Sequence, residues 1–319
     1  MIARDRAGIV FADLPPELQA DIIVCALEDN PHPVYLLSVN STFYDAAARS
    51  IYTDLRFKSP RQLQQFAHVT TPPPRHPRSF SVKFSGGIAD FQAFQHVLAA
   101  VRRCRLGWND EEQLPLDHMS LCLHSHALNP HLRQVYEALS LVNPRTFSWT
   151  GPDPDHHFST AIVPTATSHV FRAIGTWSRI EHITITNIAF PSDDPGLQLE
   201  APEAFRLIRD EKPLLPPIKS LRTLYLGQAT MLRPMTIAAM VCTPGQDNLQ
   251  IVRLVDTYKE SIWGPRIRRT DIENTAKELH ITGTSPEERI MRVRQVVRCE
   301  ALTERIMGGD RVEGLTTLE

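Results

Sequence analysis

The sequence has little charge of one sign, few cysteines and no long apolar run. Lys plus Arg is 34 and Asp plus Glu is 36, a net charge of −2 over 319 residues. So balanced a chain has no global field to hold nucleic acid or an anionic membrane. No apolar run reaches the roughly 18 residues that a membrane span needs. The first residues, with acids at Asp5 and Asp13, do not read as a secretory signal. The five cysteines (Cys25, Cys104, Cys122, Cys242, Cys299) are scattered, odd in number and form no CxxC pair. A disulfide framework or a zinc finger would cluster them, so reduced, mostly buried thiols in the cytoplasm or nucleus are expected. Nucleotide and hydrolase signatures are also missing: there is no GxSxG, GxxxxGK[ST], HExxH or strand-linked GxGxxG.

What is present begins with 42% hydrophobic residues, enough for a packed core, and 25 prolines, well above the usual share of about 5%. The prolines predict a loop-rich architecture. Residues 12–57 read as a small helical unit. Leu14, Leu18, Ile22 or Ile23, and Leu27 mark one helix face, with Pro15 and Pro16 at its start. Asn30-Pro31-His32-Pro33 ends that helix. A short run through Leu36, Leu37 and Val39 comes next, then a third helix capped by Ser41 or Thr42 and carrying Phe43, Ala47, Ile51, Tyr52 and Leu55. Some 45 residues bury too little surface to stand comfortably alone. Residues 58–78 read as a basic, Pro-rich linker centred on TTPPPRHPR.

Residues 79–319 alternate strand-like and helical runs. The strands are expected around Phe80–Phe84, Met119–Leu123, Phe147–Trp149, Ile183–Ile185, Leu224–Leu226 and Ile251–Val255, and the helices over 90–104, 131–142 and 167–177. Taking Phe80, Leu121, Phe147, Ile183, Leu224 and Val252 as equivalents gives an irregular repeat of one strand and one crossover helix, hence a parallel sheet. Thr270 with Glu273, and Ser285 with Glu288, predict capped helices near the end, and Gln295–Cys299 reads either as helix or as a closing strand. The expected fold class is α+β or α/β, with a parallel sheet and crossover helices.

The histidines predict no metal site. His124 and His126 would share a strand side, but no Cys or acid completes a known ligand spacing. His156-His157 sits in a Pro-rich loop, and Gly86-Gly87 and Gly308-Gly309 read as turns or caps. No cofactor is expected.

The run LPPELQADIIVCAL followed by LLSVNSTFYDAAARSIYTDLRF resembles the F-box. Leu14-Pro15, Glu17-Leu18, Ile22-Ile23, Leu27, Leu36-Leu37, Val39, Phe43 and Ala47 carry the resemblance. The break at Asn30–Pro33 is slightly long, and Asn40-Ser41 replaces the usual Cys or Ser followed by a base. The leucine-rich strands downstream, with SIWGPR and ERIMGGDRVEG, are similar to F-box proteins abundant in mushroom-forming fungi. The resemblance implies a three-helix F-box and a leucine-rich-repeat-like solenoid. It implies docking on the Skp adaptor of a cullin-RING ubiquitin ligase through Leu14, Pro15, Leu18, Ile22, Ile23, Leu27, Leu36, Leu37, Val39 and Phe43. A protein substrate would meet residues flanking the central strand positions: Thr184, Thr186, Thr223, Tyr225 and Arg253. The expected role is a non-enzymatic substrate receptor with neither nucleic acid nor membrane as partner. The alternatives are an F-box scaffold outside ubiquitin ligation and a stand-alone α/β enzyme.

Overall fold

The computed structural model describes residues 11–29, 33–84, 90–107, 112–153, 159–191, 213–303 and 316–319. Asn30-Pro31-His32, Gly86-Gly87, His156-His157 and the ERIMGGDRVEG phrase lie outside the described residues. Among the described residues nine strands form one sheet in strictly sequential order: β1 (Asp54–Phe57), β2 (Ser79–Lys83), β3 (Leu114–Cys122), β4 (Val142–Thr150), β5 (His182–Ala189), β6 (Thr223–Thr230), β7 (Ile251–Val255), β8 (Val297–Ala301) and β9 (Thr316–Thr317). All neighbours are parallel except β8 and β9. The chain is therefore α/β with a mostly parallel sheet. Among the described residues the helices are α1 (Pro16–Asp29), α2 (Ser41–Thr53), α3 (Pro60–His68), α4 (Ala93–Arg105), α5 (Arg133–Leu139), α6 (Pro164–Ile174), α7 (Pro234–Cys242), α8 (Arg269–Glu278) and α9 (Pro286–Val296).

The helices α3 to α6 pack side by side in chain order, as do α7 to α9, and both runs cover one side of the sheet. The core lies between the two layers. One strand row runs Leu55, Phe80, Met119, Phe147, Ile183, Leu224, Val252 and Val297, and every member is buried. A second row, two residues on, holds Val82, Leu121, Trp149, Ile185, Leu226, Leu254 and Cys299. The large side chains satisfy their polar atoms: Trp149 Nε1 donates to the Leu123 carbonyl at 3.1 Å and Trp177 Nε1 to that of Leu139 at 2.9 Å. Alternation along each strand leaves the opposite face outward and polar.

The observed rows revise the sequence reading in four places. The equivalent of Phe80 is Met119, not Leu121, because Met119, Leu121 and Leu123 alternate identically and leave the register open to a two-residue slip. The helical unit gives up Asp54–Phe57 to the sheet, where Leu55 and Phe57 join the continuous core. The stretch expected as linker holds α3, capped by Ser59, with Leu63 fully buried. Arg103 fastens the end of α3 and the chain just beyond it, donating to the carbonyls of Phe66 (3.0 Å) and Thr71 (2.8 Å), with its guanidinium 4.1 Å from the Phe66 ring centre. Finally, α8 is capped by the Asp271 carboxylate accepting the Arg268 N–H at 2.8 Å, two residues before the Thr270–Glu273 pairing. Ser285 and Glu288 form the expected reciprocal cap. Val297–Ala301 is a strand, while Gln295 and Val296 end α9.

Candidate functional site

Two surfaces carry the residues singled out in the sequence. The first is the helical unit. Among the described residues it comprises α1, α2 and two short 3-10 turns at Phe11–Asp13 and Pro33–Ser38, in place of three α-helices. Pro16 opens α1 at a position where its missing N–H costs nothing. Asn40 caps α2 by accepting the Phe43 N–H at 3.0 Å, in place of Ser41 or Thr42. Ile23, Ala47 and Ala48 are buried here and stand apart from the continuous core of the sheet.

The ten predicted adaptor residues divide by environment. Ile23 is 0% exposed and fills the unit's own interior, so it offers no surface to a partner. Leu14, Leu27, Leu36, Leu37 and Phe43 are half-buried. Phe43 stacks on Phe11 with ring centres 4.7 Å apart, and the Leu14 carbonyl accepts from Gln19 Nε2 at 2.7 Å. Pro15, Leu18, Ile22 and Val39 point to solvent, with Leu18 49%, Ile22 46% and Val39 56% exposed. Leu18, Ile22 and the exposed Cys25 recur at four- and three-residue spacing as one stripe of α1, which Pro15 continues just before the helix. Tyr35, 69% exposed, was not anticipated. On the other flank of α1, a groove of about 600 Å³ lies against α2, floored by Pro16, Ala20, Val24 and Ala46 and edged by Asp45 and Arg49.

The second surface is the outward face of the sheet. One row runs Arg56, Ser81, Ser120, Ser148, Thr184, Tyr225, Arg253 and Arg298; the next runs Lys83, Cys122, Thr150, Thr186, Gly227, Val255 and Glu300. The predicted Thr184, Tyr225 and Arg253 are thus true lateral neighbours. Thr186 lies one row further on. Thr223 lies one row back, its Oγ1 2.8 Å from His182 Nδ1. Small side chains fill the middle, where the Ser148 hydroxyl donates to that of Ser120 at 2.9 Å. Tyr225 folds down over Gly227: a Cβ there would sit 3.0 Å from the ring Cε1 and 3.0 Å from Thr186 Cγ2. The Arg253 guanidinium lies 5.4 Å from the ring centre and is held by Glu300 at 2.6 Å, a bond that raises the guanidinium's pKa. Ser81, Ser120, Lys83 and Arg298 share this face and were missed, although alternation in Ser79–Lys83 and Val297–Ala301 carries the signal.

At the strand starts, two residues repeatedly oppose one. The Arg78 carbonyl accepts from both Asp117 and His118, that of Glu181 from both Arg222 and Thr223, and that of Arg222 from both Gln250 and Ile251. This β-bulge turns an extra side chain outward on each strand. The extra residues form a ladder of alternating sign: Arg78, Asp117, Arg145, Glu181, Arg222. Arg78 meets Asp117 at 2.6 Å, Arg145 meets Glu181 at 2.8 Å, and Arg222 approaches Glu181 at 3.7 Å. The hydrogen bond from Arg145 holds the Glu181 carboxyl below the ordinary glutamate range.

Toward the far ends of β5 and β6 and just past β7, Asn187, Gln228 and Asp256 adopt left-handed backbone at laterally successive positions. The Asn187 side-chain amide donates to that of Gln228. Asp256, 1% exposed, pairs with Arg266 at 2.9 Å and accepts the N–H groups of Leu302 and Thr303.

The histidines separate. Residues 124–126 lie beyond β3; His124 Nε2 sits 3.3 Å from Asp153, while His126 packs on Phe91 and accepts the Leu128 N–H. Among the described residues no group of three or more His, Cys, Asp or Glu side chains is placed to hold a metal, and no helix is long and apolar enough to cross a membrane. No family model matches this chain, and no curated protein is detectably similar to it.

Proposed function

We propose that this chain is the substrate-receptor subunit of a Skp-cullin-F-box ubiquitin ligase. On this reading the α1–α2 unit is an F-box that docks on the Skp adaptor. The sheet and its helices are an irregular leucine-rich-repeat-like solenoid whose outward face takes a protein substrate. The chain performs no chemistry itself; the cullin-RING partners transfer ubiquitin.

One observation carries the reading. Leu18, Ile22, Tyr35 and Val39 are large apolar side chains left in water on a unit whose own buried residues are few. Single exposed leucines are ordinary, but a helical stripe of them on a small unit marks a surface that a partner completes. The LPPEL and LLSV phrases then name the kind of partner.

The test is co-purification of the full chain with the Skp adaptor and cullin. Leu18→Asp with Ile22→Asp should abolish adaptor capture while far-ultraviolet circular dichroism stays unchanged. Capture at wild-type strength by this double variant overturns the F-box reading. Adaptor capture without cullin points instead to a scaffold outside ubiquitin ligation.

A further inference from the structure

The outward face of the sheet is charged differently from the rest of the molecule. The whole chain carries −2. The described strands and the residues at their starts present seven basic side chains outward against four acidic ones. Most are paired: Arg56 with Asp54, Arg253 with Glu300, and the ladder residues with one another. Two cations are left over. Lys83, on β2, has no ion-pair partner among the described residues. Among the described residues Arg298, on β8, donates only to the carbonyls of Arg294 and Val297. Between them on β3 to β6 the same two rows hold Ser, Thr, Cys, Gly and one Tyr, with no charge of either sign.

We infer that this face takes an extended acidic polypeptide segment, its carboxylates at two ends and an uncharged stretch between. The inference rests on the proposed substrate-receptor reading and specifies its substrate class. Three features support it. Six strand intervals separate β2 from β8. At about 4.8 Å each, that is about 29 Å, the length of about nine extended residues. Small hydroxyl side chains on the floor let a peptide backbone approach closely and offer it donors and acceptors. Tyr225, braced by Gly227 and Arg253, supplies one rigid aromatic contact between the two cationic ends. A nucleic acid would want several stacking aromatics and a continuous basic track, which this face lacks.

The probe is a fluorescein-labelled peptide with Glu-Glu at each end and seven Gly, Ser and Thr residues between. Its controls carry Lys-Lys at both ends, or a three-residue spacer. Anisotropy is read on the full chain at 50 mM and 500 mM salt. The acidic peptide with the long spacer should bind at least tenfold more tightly than either control at low salt. Lys83→Glu and Arg298→Glu should each weaken it about tenfold with unchanged circular dichroism, and 500 mM salt should do the same. Equal or stronger binding of the Lys peptide or of an oligouridylate overturns the inference, as does absence of binding by the acidic peptide at 1 mM. The receptor reading fails separately: substrates trapped under proteasome inhibition that contact Thr184 or Tyr225 but lack an acidic segment would remove only the acidic preference, whereas loss of adaptor binding would remove the receptor role.

Discussion

Ile22 and Ile23 are adjacent in α1 and face opposite environments, 46% and 0% exposed. Truncating each to Ala therefore separates folding from docking. Ile23→Ala empties a buried site, a change that typically costs about 2–5 kcal/mol; a two-helix unit can partly collapse around it, so about 2–3 kcal/mol is expected. Ile22 keeps nearly half its surface in water. At about 25 cal/mol per Å² of apolar area, losing its remaining contacts costs about 1 kcal/mol or less. If the unit docks on the Skp adaptor as proposed, the order reverses in that complex. An anchor truncated at the centre of an interface costs about 2 kcal/mol, roughly thirtyfold in Kd. A sheet built from sequentially added parallel strands need not unfold in one step, so the stability arm is local hydrogen exchange of α1 and α2 amides. The binding arm is calorimetric titration with the Skp adaptor. Ile23→Ala should speed exchange throughout the unit. Ile22→Ala should leave exchange within a few-fold of wild type and weaken binding thirtyfold. If Ile22→Ala accelerates exchange as much as Ile23→Ala, the stripe is structural; if it binds at full strength, the docking surface lies elsewhere.

Asp256→Ala should lower stability by about 3–5 kcal/mol, because it leaves Arg266 buried without its counter-charge and forces a left-handed backbone on Ala; a shift in the urea midpoint worth under about 1 kcal/mol would refute that account. Gly227→Ala should swing the Tyr225 ring off the strand, seen as a change in its ring-proton NMR shifts with the fold intact, and unchanged shifts would show that the ring does not lie there. Burial pushes the Cys104 and Cys299 thiols up to about 12, so iodoacetamide at pH 8 should label the exposed Cys25 long before either, as read by peptide mass mapping. Each of those thiols has a folded pKa above its ordinary value of 9.0; the unfolded chain therefore ionises first, and thermal stability should fall as pH rises from about 9 toward 12. A melting temperature flat across that range contradicts the burial.

The strands were legible where two apolar residues flank one polar residue, as in Phe147-Ser148-Trp149 or Ile183-Thr184-Ile185, since only an outward-facing middle residue satisfies that pattern. α4, α5 and α6 were legible from threefold and fourfold spacing, whereas α7, buried on nearly every residue, shows no such stripe and was not expected. The first strand and the helix after it were hidden by their surroundings. Leu55 and Phe57 continue the apolar spacing of α2, and α3 sits between clusters of Lys, Arg and Pro that mimic a solvated linker. The division between Ile22 and Ile23 was illegible too, because a one-residue step on a helix turns by 100°, and only the position of α2 decides which side is the interior. On the strand face, single-strand alternation shows which residues point outward but not which are neighbours. That depends on register, and here the register is set by bulges that leave no mark on composition.

The alternating ladder at the strand starts imposes a rule of parity on the array. Arg78 pairs with Asp117, and Glu181 pairs with Arg145 on the strand before and Arg222 on the strand after, while the Asp117 charge acts on Arg145. Removing the single unit that carries Asp117 would set Arg78 beside Arg145. Duplicating it would set aspartate beside aspartate. Removing or adding two neighbouring units preserves the alternation. Lengthening or shortening this sheet by whole pairs is thus electrostatically neutral, while an odd change brings like charges face to face at the place where the bulges already crowd them.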